Sequence, residues 1–227
     1  MSALGNIWNG LDWSVLLDLL LGVIPALICI TLHELSHGLV AYSLGDDTAK
    51  RAGRLTLNPL AHIDWWGLVM MVLFRFGWAK PVPVDMRRFR NPRQGMALTA
   101  LAGPVSNLII TAVFLLLYGL LYTPLYANGG AVASAILETV LRTAYLSLAL
   151  AIFNFIPISP LDGSKVLFSF LSDEAYYKLM RYERYGMIVL MLLVATGATS
   201  GVLSTVTGWA FDHLFPIAEF AFELVNH

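Results

Sequence analysis

The chain has 227 residues, of which 58% are hydrophobic and 13% charged, at a mean hydropathy of +0.71. Soluble domains carry about 25% charged residues, so this composition excludes a disordered chain and argues against a soluble globular one. A net charge of −1 leaves no basic footprint for nucleic acid. The single cysteine, Cys29, excludes an intramolecular disulfide or a thiolate cluster and reads as a small buried hydrophobe.

The length suits one domain, 1–227, and the apolar blocks predict an all-α polytopic membrane protein with four to five transmembrane helices. A spanning helix needs about 20 mostly apolar residues. The first such run is 14–44, which contains Pro25 and ends at Gly45-Asp46-Asp47. Residues 1–13 hold no Lys or Arg, so this run is expected to be permanent rather than a cleaved signal. The block 63–78 is apolar but short, contains Gly67, Arg75 and Gly77, and is flanked by Pro59, Pro81 and Pro83. It is expected to be a membrane-embedded hairpin, held against protein or water because lipid cannot satisfy its amides. Residues 54–57 and 81–84 read as short strands, the second confined to an edge by its prolines. Trp65, Trp66 and Trp78 suit anchors at the membrane interface. Further helices are expected at about 95–122, 139–156 and 185–204. The run 209–225, interrupted by Asp212, Glu219 and Glu223, is a fifth span or an interfacial helix.

Charge sets an expected orientation. Nine basic residues, from Lys50 to Arg93, lie between the first two long helices, and Lys165, Lys178, Arg181 and Arg184 lie between the third and fourth. Of the 14, only Arg142 falls on the other side. The positive-inside rule then places both basic segments in the cytoplasm and the N-terminus outside.

The first helix carries His33-Glu34-Leu35-Ser36-His37, the His-Glu-x-x-His pattern of zinc metallohydrolases. Residues four apart on a helix differ by roughly 40° and one turn of rise, so both imidazoles can reach one ion. Glu34 points elsewhere and can take a proton from a water activated there. With five His and six Glu in the chain, chance supplies ~0.003 such matches. His37 lies roughly 10 Å inside the expected cytoplasmic end, a depth at which ionisable groups are expensive and usually functional.

A catalytic zinc site wants a third protein ligand and an open position. Most acidic residues lie at loops or helix ends, but Asp162 follows the third helix in Asn154-Phe155-Ile156-Pro157-Ile158-Ser159-Pro160-Leu161-Asp162-Gly163. Two prolines and Gly163 could turn the chain back into the bundle with this carboxylate. An ordinary cap of the next segment is an equal reading.

These residues resemble the site-2 protease family, the zinc-dependent intramembrane metalloproteases. The likeness covers about 24–192 and rests on five ordered blocks. They are the His33–His37 motif, Gly53-Arg54-Leu55-Thr56-Leu57-Asn58-Pro59-Leu60-Ala61-His62-Ile63-Asp64, Gly77-Trp78-Ala79-Lys80-Pro81-Val82-Pro83-Val84, Ala102-Gly103-Pro104-Val105-Ser106-Asn107, and Phe153-Asn154 through Leu161-Asp162-Gly163. The resemblance implies that His33, His37 and Asp162 bind one zinc ion and that Glu34 is the general base. It also implies a three-helix catalytic core on the first three long helices, and a multi-pass protein of a prokaryotic cell membrane. The chain is similar to minimal members without a PDZ or CBS domain. It departs from the family pattern at Asp85, where Asn is common, and at Trp65 and Ser159, where Pro is frequent.

The expected function is hydrolysis of peptide bonds within or near transmembrane segments, with the active site toward the cytoplasm. The substrate is expected to be a locally unwound helix, to which the embedded block 63–78 and the strand-like 81–84 could present an edge. Asn107 and Asn154 are expected to support the site, by orienting a ligand, holding substrate or donating to an oxyanion. His62 is either a polar residue on the water side or a second electrophile near the metal. The rival reading is a membrane metal carrier that uses the same ligands without hydrolysis.

Overall fold

The computed structural model describes residues 13–67, 69 and 78–226. Helix α1, Trp13–Ser43, runs through the buried Pro25 and ends where Gly45 takes a φ of 104°. The next residue, Asp46, is fully buried. Its Oδ1 accepts from the Thr48 N–H at 3.0 Å, starting the short helix α2, Thr48–Arg51. Its Oδ2 accepts from the Asp85 N–H at 2.7 Å. One carboxylate therefore joins the end of α1 to the segment that approaches the next long helix.

Between these points the chain makes two 3-10 turns. Asn58 caps Pro59–Ala61 by accepting from the Leu60 N–H, and Asp85 caps Met86–Arg88 by accepting from the Arg87 N–H. The Asp85 carboxyl is held below the ordinary carboxylate range by its hydrogen bonds from Arg87. Most of the expected hairpin over 63–78 lies outside the described residues. At its ends Ile63 and Ala79 form one antiparallel bridge, and the Lys80 N–H donates to the His62 carbonyl at 2.9 Å.

No strand occurs among the described residues. For 81–84 the reason is local: Pro81 and Pro83 have no N–H to give a ladder, and the Val82 N–H is bonded to a side chain of α1.

Asn91 caps α3, Pro92–Asn128, with a proline in its first turn. Gly129 and Gly130, both at positive φ, turn the chain into α4, Ala131–Phe155. Helices α1, α3 and α4 pack on one another, and each is long and apolar enough to cross a membrane. Their shared interior is partly polar. Two fully buried hydroxyls tie α3 to α4: Ser147 donates to the Asn107 carbonyl at 2.8 Å, and Thr111 to the Ala144 carbonyl at 3.3 Å.

After α4 the chain makes short helices: α5, Asp162–Phe168; α6, Asp173–Arg181; α7, Glu183–Ala195; α8, Ser200–Leu214; and α9, Pro216–Asn226. The expected helix over 185–204 is divided between α7 and α8, because Gly197 takes a φ of 71°. The expected run 209–225 is likewise divided, because Pro216 opens α9. Neither is one continuous span. Helix α8 packs on α4 and α9 on α3, where Leu115, Ala144 and Ala218 form a buried cluster. Gly119 permits this contact, since a Cβ there would strike the Ala218 carbonyl.

Candidate metal centre

His33 and His37 face the same side of α1, and each is at least nine-tenths buried. Asp162 joins them from the first position of α5. Gly163 makes that approach possible, because a Cβ there would collide with the Phe155 carbonyl at the end of α4. The three ligand atoms converge: His33 Nε2 and His37 Nε2 lie 3.0 Å apart, and each lies 3.2 Å from Asp162 Oδ2.

The residues fit a metal ion. Three ligands of a tetrahedral ion at about 2.0–2.1 Å stand about 3.3 Å from one another, close to the separations seen. His37 Nδ1 lies 2.7 Å from the Thr99 carbonyl. A carbonyl only accepts, so the ring hydrogen sits on Nδ1 and the Nε2 lone pair faces Asp162 and His33. Lone pairs and an anion converging this closely call for a cation among them.

Asn107, fully buried on α3, stands behind His33 with its amide 3.2 Å from His33 Nδ1. Its Oδ1 is buried without a hydrogen-bond partner. The two ends of an amide are told apart only by their partners. With the amide turned over, Oδ1 accepts from His33 Nδ1–H and fixes His33 in the same tautomer as His37. Gly103, one turn earlier on α3, presses on both rings: a Cβ there would strike His33 Cε1 and His37 Nε2.

The three ligand residues and Glu34 line one cavity of about 310 Å³, together with Val82 and Asn154. Glu34 Oε2 accepts from the Val82 N–H at 2.8 Å, leaving Oε1 as the free proton acceptor. Asn154 donates to the Leu150 carbonyl of its own helix at 3.0 Å. The two asparagines are thus separated: Asn107 supports a histidine, and Asn154 forms part of the cavity wall. His62 lines a different cavity, and its Nε2 is bonded to the Thr56 carbonyl at 3.0 Å.

Sequence reasoning missed three participants. Lys165 lines the site cavity, and its place three residues after Asp162 on α5 was a readable signal. The Val82 N–H and the Thr99 carbonyl are backbone groups, which a residue pattern does not mark.

The model of peptidase family M50 matches residues 122–197. The chain is 39% identical over 181 residues to the Bacillus subtilis (strain 168) protein named "Putative zinc metalloprotease YwhC", covering 80% of this chain and 83% of that one. It is 25% identical to "Putative zinc metalloprotease Rip2" of Mycolicibacterium smegmatis and 27% identical to its namesake in Mycobacterium tuberculosis (strain H37Rv), each over 82% of this chain and 71% of the relative. Among solved structures none matches at a significant level. With the His33–His37 motif and Asp162 already assembled in space, the likeness over most of both chains establishes that this chain belongs to peptidase family M50, the site-2 protease family of metalloproteases.

Proposed function

We propose that this chain is an intramembrane zinc metalloprotease that cuts peptide bonds within or near transmembrane segments of other membrane proteins. The observation that carries the reading is the meeting of His33, His37 and Asp162 around one point, with Glu34 on the same cavity, inside a helix long enough to span. His33 Nε2, His37 Nε2 and Asp162 Oδ2 would hold a single Zn2+. Bound there, zinc supplies Lewis acidity that polarises the scissile carbonyl and makes water easier to deprotonate. Glu34 takes the water proton at Oε1 while the Val82 N–H holds Oε2, and it later delivers that proton to the leaving amine. Thr99 and Asn107 hold the imidazoles in the tautomer that presents Nε2.

The substrate is a locally unwound helix, since helical amides are shielded and already bonded. Over 81–83 the segment offers it carbonyl acceptors rather than donors, because both prolines lack an N–H and the Val82 N–H is taken. The chain is proposed to be a multi-pass protein of a prokaryotic cell membrane, as its bacterial relatives suggest, and the distribution of basic residues supports a site toward the cytoplasm and an N-terminus outside. Treatment of the purified protein with a chelator tests the metal requirement. Cleavage of a reporter transmembrane segment should stop and return on adding Zn2+. Cleavage that persists without bound metal would overturn the reading, and zinc flux into liposomes without cleavage would favour a carrier.

A further inference from the structure

Outside the metal centre, two charged side chains are buried among the described residues: Arg54, 7% exposed, and Asp46, fully buried. A buried charge is costly unless it is paired and hydrogen-bonded. These two are not paired with each other. Arg54 has no carboxylate partner among the described residues, and its Nη2 donates to the Lys80 carbonyl at 2.6 Å. Asp46 Oδ2 accepts from the Asp85 N–H at 2.7 Å, while Arg88 keeps its Nε 3.9 Å from Asp46 Oδ1, beyond hydrogen-bond reach. Each buried charge is thus spent on backbone, a cation on a carbonyl and an anion on an N–H. Such bonds are roughly twice as strong as neutral ones.

The two bonds grip the ends of one segment, 80–85. Its middle has little to hold it, because Pro81 and Pro83 have no N–H and the Val82 N–H is given to Glu34 Oε2 at 2.8 Å. Its register must come from its ends. The two grips also share a frame, since Asp46 and Arg54 flank helix α2. Asp46 Oδ1 accepts from the Thr48 N–H at 3.0 Å, and the Arg54 N–H donates to the Ala49 carbonyl at 2.9 Å. Frame and segment meet on α1 at Gly38, one turn after Glu34. A Cβ on Gly38 would lie 2.5 Å from Leu55 Cδ2, 3.2 Å from Val82 Cγ1 and 3.5 Å from Ala49 Cβ.

We propose, building on the proteolytic reading above, that Arg54 and Asp46 are positioning residues for Glu34. They fix the ends of 80–85 so that the Val82 N–H holds Glu34 Oε2 and leaves Oε1 for the water proton. Neither side chain lines the site cavity, so both act through the backbone they hold.

The test has two readouts. Pro81 and Pro83 carry no amide hydrogen, so Val82 is the one exchanging amide between Lys80 and Val84, and overlapping fragments isolate it in hydrogen exchange. Asp46→Asn and Arg54→Met should each speed that exchange about tenfold or more, whereas Arg54→Lys, which keeps a charged donor, should stay within about threefold of wild type. The second readout is a cycle with Val82→Pro, in which the Glu34 contact is already gone. With Val82 present, Asp46→Asn and Arg54→Met should each lower kcat on a reporter transmembrane segment about three- to tenfold and keep bound zinc. In the Val82→Pro background each should cost less than about twofold. Wild-type exchange in both variants, or kcat losses that multiply in full with that of Val82→Pro, would overturn the proposal. Loss of zinc would overturn it too, since these side chains would then hold the fold rather than the segment. A wild type that fails to cleave sinks the proteolytic reading, and Val82 exchange still decides whether Arg54 and Asp46 hold the segment.

Discussion

At the scale of single residues, the site depends on which nitrogen of each imidazole is free. Thr99 settles this for His37 through a backbone carbonyl, and Asn107 settles it for His33 through a side chain. A side chain can be removed. Asn107→Ala should weaken zinc binding by about 10–100-fold, the usual effect of losing the partner that orients a metal-bound histidine. Competition with a chromophoric chelator measures it, and an unchanged affinity would show that Asn107 only holds α3 to α4. The ligands themselves were readable in the sequence because His33 and His37 are four apart on one helix. Asp162 stood out because prolines and a glycine surround an acid just past an apolar run. The support was not readable: Thr99 acts through its carbonyl, and Gly103 by the absence of a Cβ.

At the scale of elements, the segment from Ala79 to Asp85 is held at both ends. The Lys80 N–H bonds the His62 carbonyl, and the Asp85 N–H bonds the buried Asp46. Between them the Val82 N–H meets Glu34. Val82→Pro removes that donor at a position already flanked by two prolines, and because Val82 is buried the loss of its side chain is controlled by Val82→Ala. Val82→Pro should lower kcat about tenfold while bound zinc stays at the wild-type level, whereas Val82→Ala, which keeps the N–H, should retain kcat. Equal kcat in both variants would show that the contact does not aid Glu34. Sequence patterning located the long helices, with α3 and α4 extending past the expected 95–122 and 139–156. Their true ends lie at an Asn91 cap and at the Gly129-Gly130 turn. It joined α7 to α8 because Gly197 sits among apolar and small residues, where hydropathy does not register a turn. The strand-like alternation of 81–84 was misleading for the opposite reason, since the donor a strand needs is spent on a side chain.

At the scale of the whole molecule, the candidate site joins three residues of the long helix α1 to Asp162 of the short helix α5, and the basic residues give its proposed orientation. If the basic segments face the cytoplasm, single cysteines at Lys50 and Arg90 in a Cys29→Ser background should react with a membrane-impermeant maleimide only in inside-out vesicles. Labelling from the outer face of intact cells would reverse the topology and place the site toward the opposite side. The central claim is that one protein group, Glu34, turns a metal site into a protease. The most direct measurement follows cleavage of a reporter transmembrane segment by wild type and Glu34→Gln in the same liposomes, with zinc content determined on the same samples. Both proteins should carry one zinc, and Glu34→Gln should cleave at least about 100-fold more slowly, the lower end of what a positioned general base contributes. Equal cleavage by the two, or a wild type that cleaves while binding no zinc, would contradict the account.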